Sequence, residues 1–213
     1  MGRKSFVFDI DGVLADTSNI LLTRKDTREL GFNLESNKYK DSQIDWDYFS
    51  TYIDKAIPIE GTMNMFIELA KHNKVFLLTG RIERDRTKIL KWLKESIVDI
   101  FGDSVLNTIN WELLMRPIGC NSSQIEYKES KLIEIMHKGY DIMLMIEDNP
   151  AMIDKLTEMG IIGLKSPNEY KDFKGEEIKA INDSEIVNTS SSNRNEIKTY
   201  YINSLGEYEV DNG

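Results

Sequence analysis

The chain has 213 residues, 40% of them hydrophobic and 30% charged, with a net charge of −9. That length suits one well-buried α/β domain, and the composition excludes a disordered or collagen-like chain. An acidic surface repels nucleic-acid backbones and anionic lipid overall, and no apolar run approaches the ~20 residues of a membrane span. The single cysteine, Cys120, has no internal disulfide partner. No apolar signal-peptide core precedes the first strand-like run, and Phe6 stands where a myristoylation signal needs Ser or Thr. A cytoplasmic location without membrane contact is expected.

Short apolar runs alternate with amphipathic stretches, the pattern of βαβ units. Phe6 to Phe8 predicts the first strand and leads into Asp9-Ile10-Asp11-Gly12. Residues 17 to 60 follow, too long for a simple crossover. Helices are expected there around Asn19 to Leu30 and Asp47 to Ala56, forming a small helical cap over the sheet end. Met63, Phe66, Ile67, Leu69 and Ala70 keep helical spacing before a second strand, Val75 to Leu78, which ends at Thr79-Gly80-Arg81. Ile89, Leu90, Trp92, Leu93 and Ile97 predict the next helix, and Leu113-Leu114-Met115 a third strand ending at Arg116-Pro117. A helix carrying Leu132, Ile133, Ile135 and Met136 is expected to begin near Glu129, directly after Lys128. The fourth strand, Ile142 to Ile146, ends at Glu147-Asp148-Asn149-Pro150. Met152, Ile153 and Leu156 then precede a fifth, Ile161 to Leu164. Residues 1 to 165 are therefore expected to form the core. Residues 166 to 213 read as a polar extension with a low-complexity patch at 188 to 193 and a terminal hairpin from Ile197–Ile202 and Glu207–Val210. A parallel sheet with helices on both faces accommodates this alternation, and such sheets gather their chemistry at the carboxyl ends of the strands.

The residues at those ends are chemically specific. On an extended strand, positions i and i+2 share a side, so Asp9 and Asp11 are expected to converge. Two close carboxylates repel, and a bound hard cation such as Mg2+ relieves that repulsion. A carboxylate beside Mg2+ can attack phosphorus, and a second can protonate the leaving oxygen and then activate water. Alone, Asp-x-Asp-Gly is equally an ordinary solvated turn. Glu147 and Asp148 add a second acidic pair, and strands one and four as neighbours would set four carboxylates around one point. Thr79 and the Gly80 N–H offer donors to an anion, and Lys128 offers a neutralising ammonium, with Lys131 its rival. Arg81 and Arg116 have the fork that grips phosphate bidentately, Arg81 being preferred. His72 and His137 each close a helix, where capping explains them. Trp46, Tyr48, Phe49 and Tyr52 read as packing, and Asn121 and Asn188 head glycosylation sequons without meaning in the cytosol.

At these residues the sequence resembles the haloacid dehalogenase superfamily of aspartyl-phosphate enzymes. Phe6 to Asp16 resembles its first motif, Leu77 to Arg81 its second, Lys128 its third and Ile146 to Pro150 its fourth. The resemblance spans roughly residues 5 to 165. It implies a Rossmann-like α/β fold with strand order 5-4-1-2-3, Asp9 as nucleophile and Asp11 as acid/base. It also implies Thr79, Gly80, Arg81 and Lys128 around the phosphoryl group, and Mg2+ held by Asp9, the Asp11 carbonyl and Asp148, with Glu147 a further metal residue of the same acidic motif. Trp46-x-x-Phe49, Pro58-Ile59-x-Gly61, the run from Leu77 to Leu93, and Leu113 to Pro117 resemble in particular the phosphatase domains of phage-type polynucleotide kinase-phosphatases. The implied activity is a Mg2+-dependent phosphomonoesterase acting on a nucleotide or a nucleic-acid 3′-phosphate end. Its substrate is then a phosphorylated small molecule or nucleic-acid end, with no membrane or obligate protein partner. Two features depart from those domains: no phosphate loop of a kinase half is found in this sequence, and Ile118 to Gln124 replaces a charged run. In the fourth motif Glu147 stands where Asp is commoner. The Asp-Gly-Val-Leu-Ala-Asp wording also resembles 5′(3′)-deoxyribonucleotidases, the alternative activity. A non-catalytic interaction protein on the same fold is the competing class.

Overall fold

The computed structural model describes residues 2–20, 46–165, 199–202 and 208–211. At its centre is a five-stranded parallel sheet. β1 (Arg3–Phe8) lies between β4 (Lys74–Ile82) and β6 (Tyr140–Glu147), with β5 (Trp111–Arg116) outside β4 and β7 (Ile162–Lys165) outside β6. Counting only the five expected strands, this is the order 5-4-1-2-3. The sheet is buried on both faces, which is why its strands read as continuous apolar runs. Phe6 and Phe8 enter one core and Val7 the other. The same alternation sends Val75 and Leu77 one way and Phe76 and Leu78 the other. Helices α2 (Glu60–His72) and α3 (Arg86–Phe101) cover the first face through Met63, Phe66, Ile89 and Leu93. The second face is covered by α4 (Gln124–His137) and α5 (Pro150–Glu158) through Leu132, Ile135, Met152 and Leu156. Each such side chain, wholly removed from water, contributes roughly 2 kcal/mol.

The chain winds outward from β1 through β4 to β5, then crosses back to begin β6 on the other side. The crevice between the carboxyl ends of β1 and β6 is thus the point where ligands bind in open α/β sheets. Past β1 the chain turns sharply. The Ile10 carbonyl accepts from Leu14 and Ala15 at 2.9 and 2.8 Å, and Gly12 takes a φ of +71°, which only glycine adopts without strain. β2 (Ala15–Asp16) then pairs antiparallel with β3 (Ile57–Pro58), so the excursion between them leaves and returns side by side. Of the expected cap, the helix over Asp47 to Ala56 is split into α1 (Trp46–Thr51) and a 3₁₀ turn, Ile53–Lys55. The buried Ile53 and the Trp92 Nε1–H, which donates to the Ala56 carbonyl at 3.0 Å, fix the second part on the core. The expected helix from Asn19 to Leu30 falls almost wholly outside the described residues, as does the low-complexity patch. β8 (Thr199–Ile202) and β9 (Tyr208–Asp211) form an antiparallel pair. No helix among the described residues is long and apolar enough to cross a membrane.

Two boundaries differ from expectation. β4 runs on from Leu78 to Ile82, but Thr79 pairs with Met115 and Ile82 with Arg116, so Gly80 and Arg81 bulge out of the ladder. Helix α4 begins at Gln124 rather than near Glu129, which corrects the placement of Lys128: it lies inside the helix and not before it. The cause is a capping box, in which the Ser123 hydroxyl accepts from the Glu126 N–H at 3.2 Å and the Glu126 carboxylate accepts from the Ser123 N–H at 2.7 Å.

Candidate active site

Asp9 extends the β1–β6 pairing by one residue, its N–H donating to the Ile146 carbonyl at 3.0 Å. That bond sets its side chain at the crevice floor, 1% exposed. Its Oδ1 accepts from the Ile10 N–H at 2.8 Å, and Oδ2 meets the Lys128 ammonium at 2.8 Å. Lys128 rises from the second turn of α4, equally buried, and also meets Glu147 Oε2 at 2.7 Å. The other oxygen of Glu147 accepts from the Asn149 N–H at 3.2 Å. Burial alone would strip Lys128 of its proton, yet the two carboxylates overcome it and hold the ammonium above the ordinary lysine range. Burial and then the Asp9 charge push the Glu147 carboxyl well above the usual carboxylate range.

β1 ends at Phe8, and the two aspartates just beyond it take different cationic partners, Lys128 for Asp9 and Arg81 for Asp11. Asp11 is turned to Arg81, whose Nε donates to Oδ1 at 3.0 Å and Oδ2 at 2.9 Å while Nη2 donates to Oδ1 at 2.8 Å. Burial raises the Asp11 carboxyl above its ordinary range, against the guanidinium, which pulls it down; the Asp9 charge adds to the rise. Of the four expected carboxylates, Asp9, Glu147 and Asp148 come together, each offering an oxygen within 4.8 Å of the others. Asp148 is the exposed member. Gly12 makes room for it, because a Cβ there would stand 2.2 Å from Asp148 Oδ2.

This donor set suits a divalent cation. It is all oxygen, and octahedral Mg2+ with bonds of about 2.1 Å spaces its ligands by roughly 3 to 4 Å, within the spread seen.

Thr79 is wholly buried at the start of the β4 bulge, and its Oγ1 accepts from the Arg81 N–H at 3.1 Å. Gly80 packs under Gln124, where a Cβ would meet the glutamine side chain at 2.5 Å. Arg116 ends β5, two strands from β1 and about 10 Å away by strand spacing, with its Nε buried and unpartnered. Lys131, the rival of Lys128, bridges to Glu134 instead. His72 and His137 are the last residues of α2 and α4. Tyr48 and Phe49 are buried, as packing requires, but Phe49 has a further part that the sequence did not announce: its ring lies 4.0 Å beneath the Arg81 guanidinium carbon.

No protein-family model and no curated protein matches the sequence. Among solved structures the chain is similar to a chain of the Pnkp1/Rnl/Hen1 RNA repair complex, at 17% identity and a TM-score of 0.51, over 78% of this chain and 44% of that one. It thus spans less than half the length of that protein. A haloacid dehalogenase-like family hydrolase from Streptococcus pneumoniae is similar at 14% identity and a TM-score of 0.47, over 83% and 96% of the two chains. CbbY from Rhodobacter sphaeroides, in complex with phosphate, follows at 12% and 0.45, over 82% and 90%. The shared fold is an α/β one built on a Rossmann-like parallel sheet.

Proposed function

We propose that the chain is a Mg2+-dependent phosphomonoesterase that works through an aspartyl-phosphate on Asp9. The observation that carries this reading is the setting of Asp9. It is a carboxylate at the floor of the β1–β6 crevice, oriented by the Ile10 N–H and the Lys128 ammonium and flanked by the acidic end of β6. A carboxylate held in this way is a nucleophile with its rotamer fixed, and the ammonium stabilises the phosphoryl charge that develops beside it.

In the first step an Asp9 oxygen bonds to phosphorus, the bond from phosphorus to the ester oxygen breaks, and Asp11 gives that oxygen its proton. In the second, Asp11 takes a proton from water, the water oxygen bonds to phosphorus, and the Asp9 carboxylate leaves. Thr79 and the Gly80 N–H, at the β4 bulge, hold the phosphoryl oxygens. Asp9, Asp148 and the Asp11 carbonyl would hold the Mg2+, which when bound supplies charge neutralisation. Glu147 steers Lys128 and is a further candidate ligand of the ion.

A phosphate on a nucleotide or a nucleic-acid 3′ end is the substrate to test first, supported by the resemblance carried by the runs from Leu77 to Leu93 and Leu113 to Pro117 and by the RNA repair complex whose chain shares the fold. The net charge of −9 favours a small nucleotide over a long polyanion. Phosphate release should be measured with Mg2+ on an aryl phosphate, 3′- and 5′-nucleoside monophosphates and a 3′-phosphorylated oligonucleotide. Preference for monomers identifies a nucleotidase, and preference for the oligonucleotide an end-processing phosphatase. Silence on all of them, with Mg2+ bound, sinks the reading in favour of an interaction protein.

A further inference from the structure

Arg81 is the one sequence candidate for phosphate binding whose fork is already engaged within the site. The Arg81 side chain is 4% exposed. Its guanidinium carbon sits 4.0 Å over the centre of the Phe49 ring, its Nη1 donates to the Phe49 carbonyl at 3.4 Å, and the edge formed by Nε and Nη2 is applied to both oxygens of Asp11. The two residues are seventy positions apart in sequence, and the bulge after Thr79 brings the arginine to the carboxylate. A planar fork on a planar carboxylate fixes its orientation as no single ammonium does. To grip a phosphoryl group with the same edge, Arg81 would have to abandon Asp11 and its seat on Phe49. That would leave the Asp11 carboxyl, 25% exposed, without its cationic partner close to Asp9.

We infer that Arg81 is a positioning residue that acts through Asp11. It holds the carboxyl at the angle from which it delivers a proton to the leaving oxygen, and Phe49 of α1 is the platform that holds Arg81. The inference rests on the phosphatase reading and departs from the expectation that Arg81 binds phosphate. It also links the excursion between β2 and β3, which carries Phe49, to the proton-transfer step.

The two roles separate by leaving group. An alkyl alkoxide needs a proton as it departs and a dinitrophenolate does not, so a defect in the acid shows in kcat/KM for the first ester only. A defect in phosphoryl binding shows in both. Arg81→Gln is expected to lower kcat/KM about 100-fold on an alkyl phosphate and less than about threefold on dinitrophenyl phosphate, as loss of a general acid does. Asp11→Asn should give the same pattern, and the double variant should be no worse than Asp11→Asn alone, because both changes disable one unit. Arg81→Lys keeps the charge without the fork and should recover little of the alkyl activity. Phe49→Leu, which spares the fork and removes its platform, should show the same selectivity at about a tenth of the size, and it carries the test if the arginine variants do not fold.

Calorimetric binding of inorganic phosphate in the presence of Mg2+ gives a readout without turnover, and Arg81→Gln should leave it unchanged. Equal losses on the two esters, or phosphate binding weakened tenfold or more, overturns the inference and returns Arg81 to the phosphoryl group. A wild-type chain inactive on both esters overturns the phosphatase reading itself, and the role assigned to Arg81 falls with it.

Discussion

Six residues apart on α4, Lys128 sits between two carboxylates and Glu134 sits between two ammonium groups. The bonds are of similar length, 2.8 and 2.7 Å around Lys128 against 2.5 and 2.7 Å around Glu134. Their surroundings are opposite. Lys128, Asp9 and Glu147 are at most 2% exposed, whereas Glu134 is 44% exposed and its lysines 28% and 55%. Water screens the second group almost to nothing, while in the first every charge must be answered by a neighbour. The same three-charge motif is thus a surface ornament on one face of the helix and a tuned site on the other. Burial, not contact geometry, makes the difference.

The contrast breaks first on Asp9. Asp9→Asn keeps the shape and removes the nucleophile, so phosphate release should fall by about 10⁴-fold or more, as loss of a catalytic nucleophile does. Near-wild-type release with an unchanged circular dichroism spectrum would dismiss Asp9 from that role. Next comes Lys128→Met, which strands two buried carboxylates. Denaturant unfolding at pH 7 should show a loss of about 3–5 kcal/mol, the cost of removing one partner from a buried pair. A loss no larger than that of Glu134→Gln collapses the comparison.

Gly12→Ala sharpens it from the metal side. The φ of +71° and the approach to Asp148 Oδ2 mean that a methyl group displaces that carboxylate. Mg2+ affinity measured by calorimetry should weaken about 10- to 100-fold, as disturbed ligand support does, while unchanged affinity would remove Asp148 from the ligand set.

The smallest effect belongs to Glu134. Hydrogen bonds from Lys131 and Lys138 lower its carboxyl to about 2 from an ordinary 4.5. A depressed carboxyl stabilises the fold above its unfolded value and loses that contribution as pH falls from about 4.5 toward 2. Solvent screening limits it to roughly 0.5 kcal/mol. The stability difference between wild type and Glu134→Gln should therefore be small at neutral pH and vanish across that acid window; a difference that grows there reverses the sign.

The sheet was legible in the sequence because its strands, buried on both faces, are apolar at every position, as in Phe6 to Phe8 and Ile142 to Ile146. The gathering of Asp9, Glu147 and Asp148 was legible too, since strand order brings the ends of β1 and β6 together. Two things were not. Lys128 was set before its helix because apolar periodicity starts only at Leu132; Ser123-x-x-Glu126, the signal for the true start, was there to read. The pairing of Asp11 with Arg81 depends on a bulge and a residue of α1, and no local pattern encodes a contact between residues so distant in the chain.

The capping box also bears on how readily this scaffold accepts change. Because Ser123 and Glu126 define the first turn of α4 by themselves, the reach of Lys128 into the crevice is measured from that turn and not from the path leading to it. The stretch from Pro117 to Asn121 is thereby insulated. It can be rewritten, lengthened or replaced by a grafted recognition loop while the ammonium keeps its address. A designer, like evolution, has an editable margin here beside a fixed chemical centre.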